Sequence, residues 1–160
     1  MSRFTTVTRQ GRVPATPAQI TALVSSTAGF TVINPHLTQD PNLQITPRGV
    51  ASGVGSAFAF RGKNGKGTQT VTDVTASSVE YAIDMGGMGQ SRQRIDIKPD
   101  GAESIVTWSM TLDAGHNPLL RLFGLLAGKI LGPSVEIGIR NLAAHDWAGK
   151  TVHTVATSAH

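Results

Sequence analysis

Three side chains in this sequence are candidates for acid–base chemistry: His36, Asp84 and Arg94. His36 follows Asn34-Pro35 in a polar loop, and Asp40 comes four residues later. An imidazole tuned by a carboxylate can act as a general acid or base on an enolisable ketone. The alternative is a capping or surface histidine in a polar loop, and the sequence favours that alternative.

Asp84 and Arg94 lie on predicted strands, and their chemistry depends on which face of the sheet they occupy. A buried Asp84 would have a raised pKa and would be a candidate base. An inward Arg94 would offer a permanently charged guanidinium to a ligand carboxylate or an enolate. Arg94 shares its strand face with Arg92 and Asp96, so an outward, ion-paired face is the alternative.

Other kinds of site are not indicated by the sequence. The chain has five histidines, none at metal-ligand spacing from a second ligand, and no cysteine for a thiolate nucleophile, a disulfide or a cysteine metal site. It contains no Gly-x-Ser-x-Gly elbow, and Gly65-Lys66-Gly67 lacks the spacing of a phosphate-binding loop. We therefore predict neither a metal nor a cofactor.

The elements that would position these side chains follow from hydrophobic periodicity. Alternation of apolar and polar residues between Gly55 and Leu112 predicts six or so short antiparallel strands, joined by tight turns such as Asp100-Gly101. Asn117-Pro118 then begins an apolar helical run that extends to Trp147, which Gly132-Pro133 either kinks or splits.

Two short helices are predicted before these strands. Thr16-Pro17 is typical of a helix start, and we expect that first helix to end at Gly29. A second short helix or turn follows from Phe30 and stops at Asn34-Pro35.

The predicted fold class is α+β: a curved antiparallel sheet wrapped around a long C-terminal helix, with two short helices near the N-terminus. Residues 1–149 are expected to form one domain, and residues 150–160 a C-terminal tail without a clear pattern. A cavity between the sheet and the helix would be lined by apolar side chains. The expected ligand-binding residues are Phe58, Phe60, Tyr81, Ile83, Trp108, Met110, Leu122, Phe123 and Leu126.

The charge and composition of the chain limit the kinds of partner that it is expected to bind. The net charge is +4, from 14 basic and 10 acidic residues, and the basic residues are scattered rather than clustered, which argues against nucleic-acid binding. The apolar stretch from Leu119 to Leu131 is too short and too charged to span a bilayer. With no signal peptide and no cysteine, a cytoplasmic location is expected, with the protein a monomer or a homodimer.

Several segments together resemble one family. They are Ile33-Asn34-Pro35-His36-Leu37 with Asp40-Pro41, Gly53-Val54-Gly55-Ser56 with Phe60-Arg61-Gly62, and Val106-Thr107-Trp108-Ser109-Met110 with Leu122-Phe123-Gly124. In this order, across roughly residues 3–147, the chain resembles the polyketide cyclase/dehydrase-like branch of the START/SRPBCC superfamily, which has the helix-grip fold of the birch pollen allergen.

The resemblance implies a cavity without implying a mechanism. The first function that it suggests is the binding of a small hydrophobic or aromatic, lipid- or polyketide-like ligand. The second is a polyketide cyclase or dehydratase, in which the cavity positions the substrate and His36, Asp84 or Arg94 assists. A third, a protein-interaction module, would present a large exposed apolar patch.

Overall fold

The computed structural model describes residues 4–63, 65–86, 89–113 and 127–147. Its elements follow one another in chain order as seven strands and four helices. They are β1 (Phe4–Val13), α1 (Pro17–Val24), α2 (Thr27–Ile33), α3 (Pro35–Gln39), β2 (Gln44–Gly49), β3 (Ser56–Gly62), β4 (Gly65–Thr75), β5 (Ser78–Asp84), β6 (Gln90–Asp100), β7 (Glu103–Asp113) and α4 (Ala127–Ala144).

All seven strands form one antiparallel sheet in the order β1-β7-β6-β5-β4-β3-β2. The chain runs through hairpins from β2 to β7, and β1 then pairs with β7 to complete the sheet. The helices α1, α2 and α4 pack on the inner face of this curved sheet. The predicted α+β helix-grip class is confirmed, with a third short helix, α3, in addition to the two predicted.

The residues that begin and end the short helices agree only in part with the sequence-based prediction. Thr16 caps α1 through its side chain and Pro17 is the first helical residue, as predicted. The prediction that Gly29 ends this helix is wrong, because α1 ends at Val24 and Gly29 lies inside α2. A side chain at position 29 would collide with the Leu23 carbonyl oxygen, so this glycine allows α2 to follow α1 closely.

Asn34 both ends α2 and begins α3. Its side-chain oxygen accepts a hydrogen bond from the His36 backbone N–H at 2.9 Å, and Pro35 occupies the first helical position. The predicted stop at Asn34-Pro35 therefore coincides with a new helix start.

Two glycines allow the helix α4 to pack closely against the inner face of the sheet. Gly138 lies against the ring of Trp108 and Gly11 of β1 lies against Ile139, so that the helix and the sheet come close together. The Arg9 Nε donates to Glu136 at 2.8 Å across the same contact. Pro133 lies within α4, which continues past it to Ala144.

Candidate functional site

The inner face of the sheet forms a predominantly apolar wall centred on Phe30 of α2. The Phe30 ring centroid lies 6.0 Å from that of Phe58, 5.3 Å from that of Tyr81 and 6.1 Å from that of Trp108. These partners come from β3, β5 and β7, so one residue of α2 connects three strands. Phe30 was not among the ligand-binding residues expected from the sequence.

Most of the predicted ligand-binding residues occupy this wall. Phe58, Tyr81, Ile83, Trp108 and Met110 are all buried, with at most 7% of the residue exposed. Phe60 is half-buried on the same face. Leu122, Phe123 and Leu126 lie outside the described residues. The interior placement of the described members is as expected, and their contact with a ligand stays a prediction.

The hydroxyl group of Tyr81 already has a hydrogen-bond partner within the protein. Its hydroxyl donates to the Val24 carbonyl oxygen of α1 at 2.6 Å, and burial raises its pKa well above the ordinary value of 10.0. This hydrogen bond gives Tyr81 a structural role, because it ties α1 to the sheet.

Alkaline titration tests the burial of Tyr81, which is the chain's only tyrosine. Because burial favours the neutral phenol, the unfolded chain loses this proton first. Stability is then fully present below a pH of about 10 and is lost as the pH rises towards the folded pKa. We expect tyrosinate absorbance to appear only together with loss of the circular-dichroism signal. Ionisation near pH 10 in a folded protein would contradict the placement of Tyr81.

A chain of buried polar side chains crosses the apolar wall. The indole Nε1 of Trp108 donates to the Gln93 Oε1 at 2.8 Å, and the Gln93 Nε2 donates to the Gln69 Oε1 at 2.8 Å. The two glutamines are 3% and 5% exposed. Gln69 lies two residues before Val71 on β4, and Gln93 lies two residues before Ile95 on β6, so each glutamine shares a face with an apolar residue. This shared face was the sequence signal for the inward placement of both glutamines.

A small cavity adjoins this polar chain. Its volume is about 10 Å³, which is the space that one water molecule needs. It is lined by side chains of α1, α2 and the strands β3–β5, together with the turn between the first two helices. The lining residues are Val24, Ser26, Thr27, Phe30, Ser56, Phe58, Gln69, Val71 and Tyr81.

His36 lies on α3, outside the sheet. Its residue surface is exposed, yet the protein atoms packed around the ring desolvate it and lower its pKa. The Asp40 carboxylate instead accepts hydrogen bonds from the backbone N–H groups of Asn42 at 3.2 Å and Lys63 at 3.1 Å. The predicted tuning of His36 by Asp40 is therefore wrong, because desolvation alone shifts the pKa of the imidazole.

Asp84 lies on the outer face at the end of β5. It is exposed, and its Oδ1 accepts a hydrogen bond from the Gly86 N–H at 2.8 Å. The burial that would have made it a candidate base is absent. Asp84 instead lines a groove of about 460 Å³ at the end of β2–β5. The groove residues are Gln44, Thr46, Arg48, Ala59, Phe60, Arg61, Lys66, Gly67, Thr68, Asp84, Met85 and Gly86.

Arg94 also lies on the outer face, where it is ion-paired. Its guanidinium donates to Glu80 at 2.8 Å and to both carboxylate oxygens of Asp96 at 2.9 and 3.0 Å. The alternation of the strand requires this, because Gln93 and Ile95 face inward. The inward position that a catalytic role for Arg94 needs is therefore not the one observed.

The three acid–base candidates do not come together. Arg94 pairs with Glu80 of β5, and Asp84 lies four residues further along the same strand. This spacing places Asp84 about 13 Å along the outer face from the position of Arg94. His36 belongs to α3. In the part of the chain that the structure describes, no three His, Cys, Asp or Glu side chains are grouped to hold a metal ion. No described helix is long and apolar enough to cross a membrane.

Comparison with known proteins agrees with this architecture. Residues 5–145 match the family described as polyketide cyclase / dehydrase and lipid transport. The chain belongs to this family. It is therefore a member of the START/SRPBCC superfamily. A search of curated proteins finds no match to the sequence.

Solved structures share the fold at low sequence identity. Truncated norcoclaurine synthase from Thalictrum flavum is 15% identical, with a TM-score of 0.62 over 89% of this chain and 96% of that chain. A protein from Thermus thermophilus is 15% identical, with a TM-score of 0.62 over 97% and 99% of the two chains. Ara h 8.0201 is 16% identical, with a TM-score of 0.57 over 87% and 98%.

Proposed function

We propose that this family member binds a small hydrophobic or aromatic molecule, lipid-like or polyketide-like, between the inner face of the sheet and the C-terminal helix. The observation that carries the proposal is a change in burial along that face. At one end Val13 and Val106 are 0% exposed. At the other end Ile45 and Phe60 are only half-buried.

The half-buried end offers apolar surface that a ligand would cover. Ile45 pairs with Phe60, and Phe60 pairs with Gly67. The side chains of Phe60 and Met85 both lie against Gly67, where a Cβ atom would collide with them and with the Asp84 carbonyl oxygen. Removing apolar surface from water contributes about 25 cal/mol per Å², so an apolar molecule resting on these side chains gains affinity from their burial.

Replacing Phe60 by alanine is expected to weaken binding of the apolar fluorophore N-phenyl-1-naphthylamine by about 5- to 30-fold. This corresponds to the loss of about 1–2 kcal/mol of apolar contact. The matched control is Phe4→Ala, because Phe4 is a 53% exposed phenylalanine on β1. A fluorescence titration should give wild-type affinity for that control. Equal affinity for the wild type and both variants would contradict a ligand on the inner face.

The alternative function, cyclisation or dehydration of a polyketide, needs acid–base groups beside the ligand. The candidates named from the sequence lie elsewhere: Asp84 and Arg94 are on the outer face, and His36 is on α3. Binding is therefore the function that the geometry supports better, and any catalysis in this protein would rest on positioning within the cavity.

Further properties remain part of the proposal. The family match over residues 5–145 supports one domain covering residues 1–149, followed by the tail at residues 150–160. We also propose a cytoplasmic monomer or homodimer that binds no nucleic acid, and the scattered basic residues support the last of these properties.

A further inference from the structure

Like charges stand directly opposite each other at three places on the described strands of the sheet. Two of these pairs are acidic and one is basic. The pairs are Asp73 with Glu80, Asp100 with Glu103, and Arg61 with Lys66. Residues in directly opposite positions have their Cβ atoms about 5 Å apart, and like charges at that distance are unfavourable. Each pair is therefore stabilised by an opposite charge beside it.

Both acidic pairs have an arginine as their counterion. The guanidinium of Arg12 donates to both carboxylates of the pair at the β6–β7 turn. The guanidinium of Arg94 donates to Glu80 at 2.8 Å and is also attracted by Asp73. The protein thus neutralises its two acidic pairs with its own side chains.

The basic pair, Arg61 of β3 and Lys66 of β4, has no such counterion. All ten acidic side chains of the sequence lie in the parts of the chain that the structure describes, and none of them forms an ion pair with Arg61 or Lys66. The nearby Asp84 accepts a hydrogen bond from the Gly86 N–H at 2.8 Å instead. The two positive charges are therefore available to an anion from outside the chain.

The basic pair lines the outer-face groove of about 460 Å³. Alternate residues of a strand face opposite sides, so Arg61 points away from the inner face of the sheet. Its neighbour across β2 is Gln44, and the hydroxyl groups of Thr46 and Thr68 belong to the same lining. Neutral hydrogen-bond donors thus lie in the groove together with the two cations.

We propose that this groove binds the phosphate group of an organic phosphate between Arg61 and Lys66. A phosphate monoester carries a charge of about −1.5 to −2 at neutral pH, which balances two adjacent cations, whereas a carboxylate balances one. Its oxygens can accept hydrogen bonds from a guanidinium and an ammonium group at the same time. This site does not depend on the ligand proposed for the inner face.

The groove has room for more than the phosphate group. Its volume of about 460 Å³ is within the range of about 300–1,000 Å³ that is typical of small-molecule sites. Gln44, Thr46 and Thr68 make much of the lining polar, so a polar body such as glycerol or a sugar suits it. Glycerol phosphate occurs both as a soluble compound and as the head group of phosphatidic acid, so the phosphate has two possible sources.

The test is an NMR titration with glycerol 3-phosphate, and with glycerate as the matching carboxylate, in a phosphate-free buffer. The wild type should show saturable shifts of β3 and β4 amide signals and should bind the phosphate at least about 5-fold more tightly than the carboxylate. Arg61→Gln and Lys66→Gln should each weaken binding of glycerol 3-phosphate by about 5- to 10-fold, as expected for the loss of one charged hydrogen bond.

The matched controls are Arg92→Gln and Lys98→Gln, which remove the same charge from exposed positions of β6 outside the groove. Both should keep the wild-type affinity within about 2-fold, because exposed charges at that distance are screened by salt. Asp84→Asn removes the carboxylate of the groove and should strengthen binding. Equal weakening by the two groove variants and the two controls would indicate general attraction to a positive surface and would overturn the inference, as would equal affinity for glycerate.

Sedimentation with vesicles of phosphatidylcholine, with and without phosphatidic acid, distinguishes the two sources of the phosphate. Binding of glycerol 3-phosphate without binding to these vesicles assigns the groove to a soluble organic phosphate. Binding that needs phosphatidic acid, is lost in Arg61→Gln and is kept in Arg92→Gln assigns it to a lipid head group. If neither glycerol 3-phosphate nor phosphatidic acid binds, the inference fails, while the proposed function of the inner face stands.

Discussion

Replacing Phe30 by alanine is expected to lower the free energy of unfolding by about 3–5 kcal/mol, the range for deleting a fully packed aromatic side chain. Phe30 is 2% exposed and contacts the rings of Phe58, Tyr81 and Trp108. Its removal would leave a cavity bordered by three strands, and rigid aromatic neighbours cannot collapse into that space. Urea denaturation monitored by circular dichroism measures the loss.

The matched control for Phe30→Ala is Val32→Ala on the same helix, because Val32 is 61% exposed. This change should alter the free energy of unfolding by about 0.5 kcal/mol at most. Similar losses for the two variants would mean that α2 does not pack on the sheet through Phe30.

Gly138→Val is expected to lower the free energy of unfolding by about 3 kcal/mol, because the helix α4 could no longer lie against Trp108. A Cβ atom at position 138 would overlap the six-membered ring of Trp108, which is 0% exposed and cannot move aside. The indole also donates to Gln93, so a displaced ring would break the buried polar chain as well.

Arg140→Val provides the comparison for Gly138→Val. Arg140 is exposed on the same helix, and valine there should cost only the propensity difference of about 0.5 kcal/mol. If Gly138→Val were as stable as Arg140→Val, the close approach of α4 to Trp108 would be wrong.

The faces of the strands could be predicted from sequence because alternation alone decides them. On β7, Ser104, Val106, Trp108 and Met110 are buried as the pattern indicates. On β6, the inward Ile95 and Ile97 force Arg94 outward. The same rule could therefore have placed Arg94 on the outer face without a structure.

The helix boundaries near Gly29 and the partners of buried polar groups could not be predicted. A glycine after an apolar stripe is typical of a helix end, but Gly29 lies inside α2, where the close Leu23 carbonyl oxygen leaves no room for a side chain. The pair Gln69–Gln93 crosses β5 diagonally, since Gln69 pairs with Ile83 and Gln93 pairs with Tyr81. That contact depends on the register of three strands, which periodicity does not provide.

Methyl NMR with N-phenyl-1-naphthylamine tests most directly whether a ligand occupies the inner face. Ile83 and Met110 lie in the inner wall, whereas Ile105 is on the outer face of β7. We expect saturable shifts of the Ile83 and Met110 methyl signals and no shift for Ile105. Saturable binding that leaves both inner methyl signals unchanged, or that shifts Ile105 alone, would contradict the proposed function.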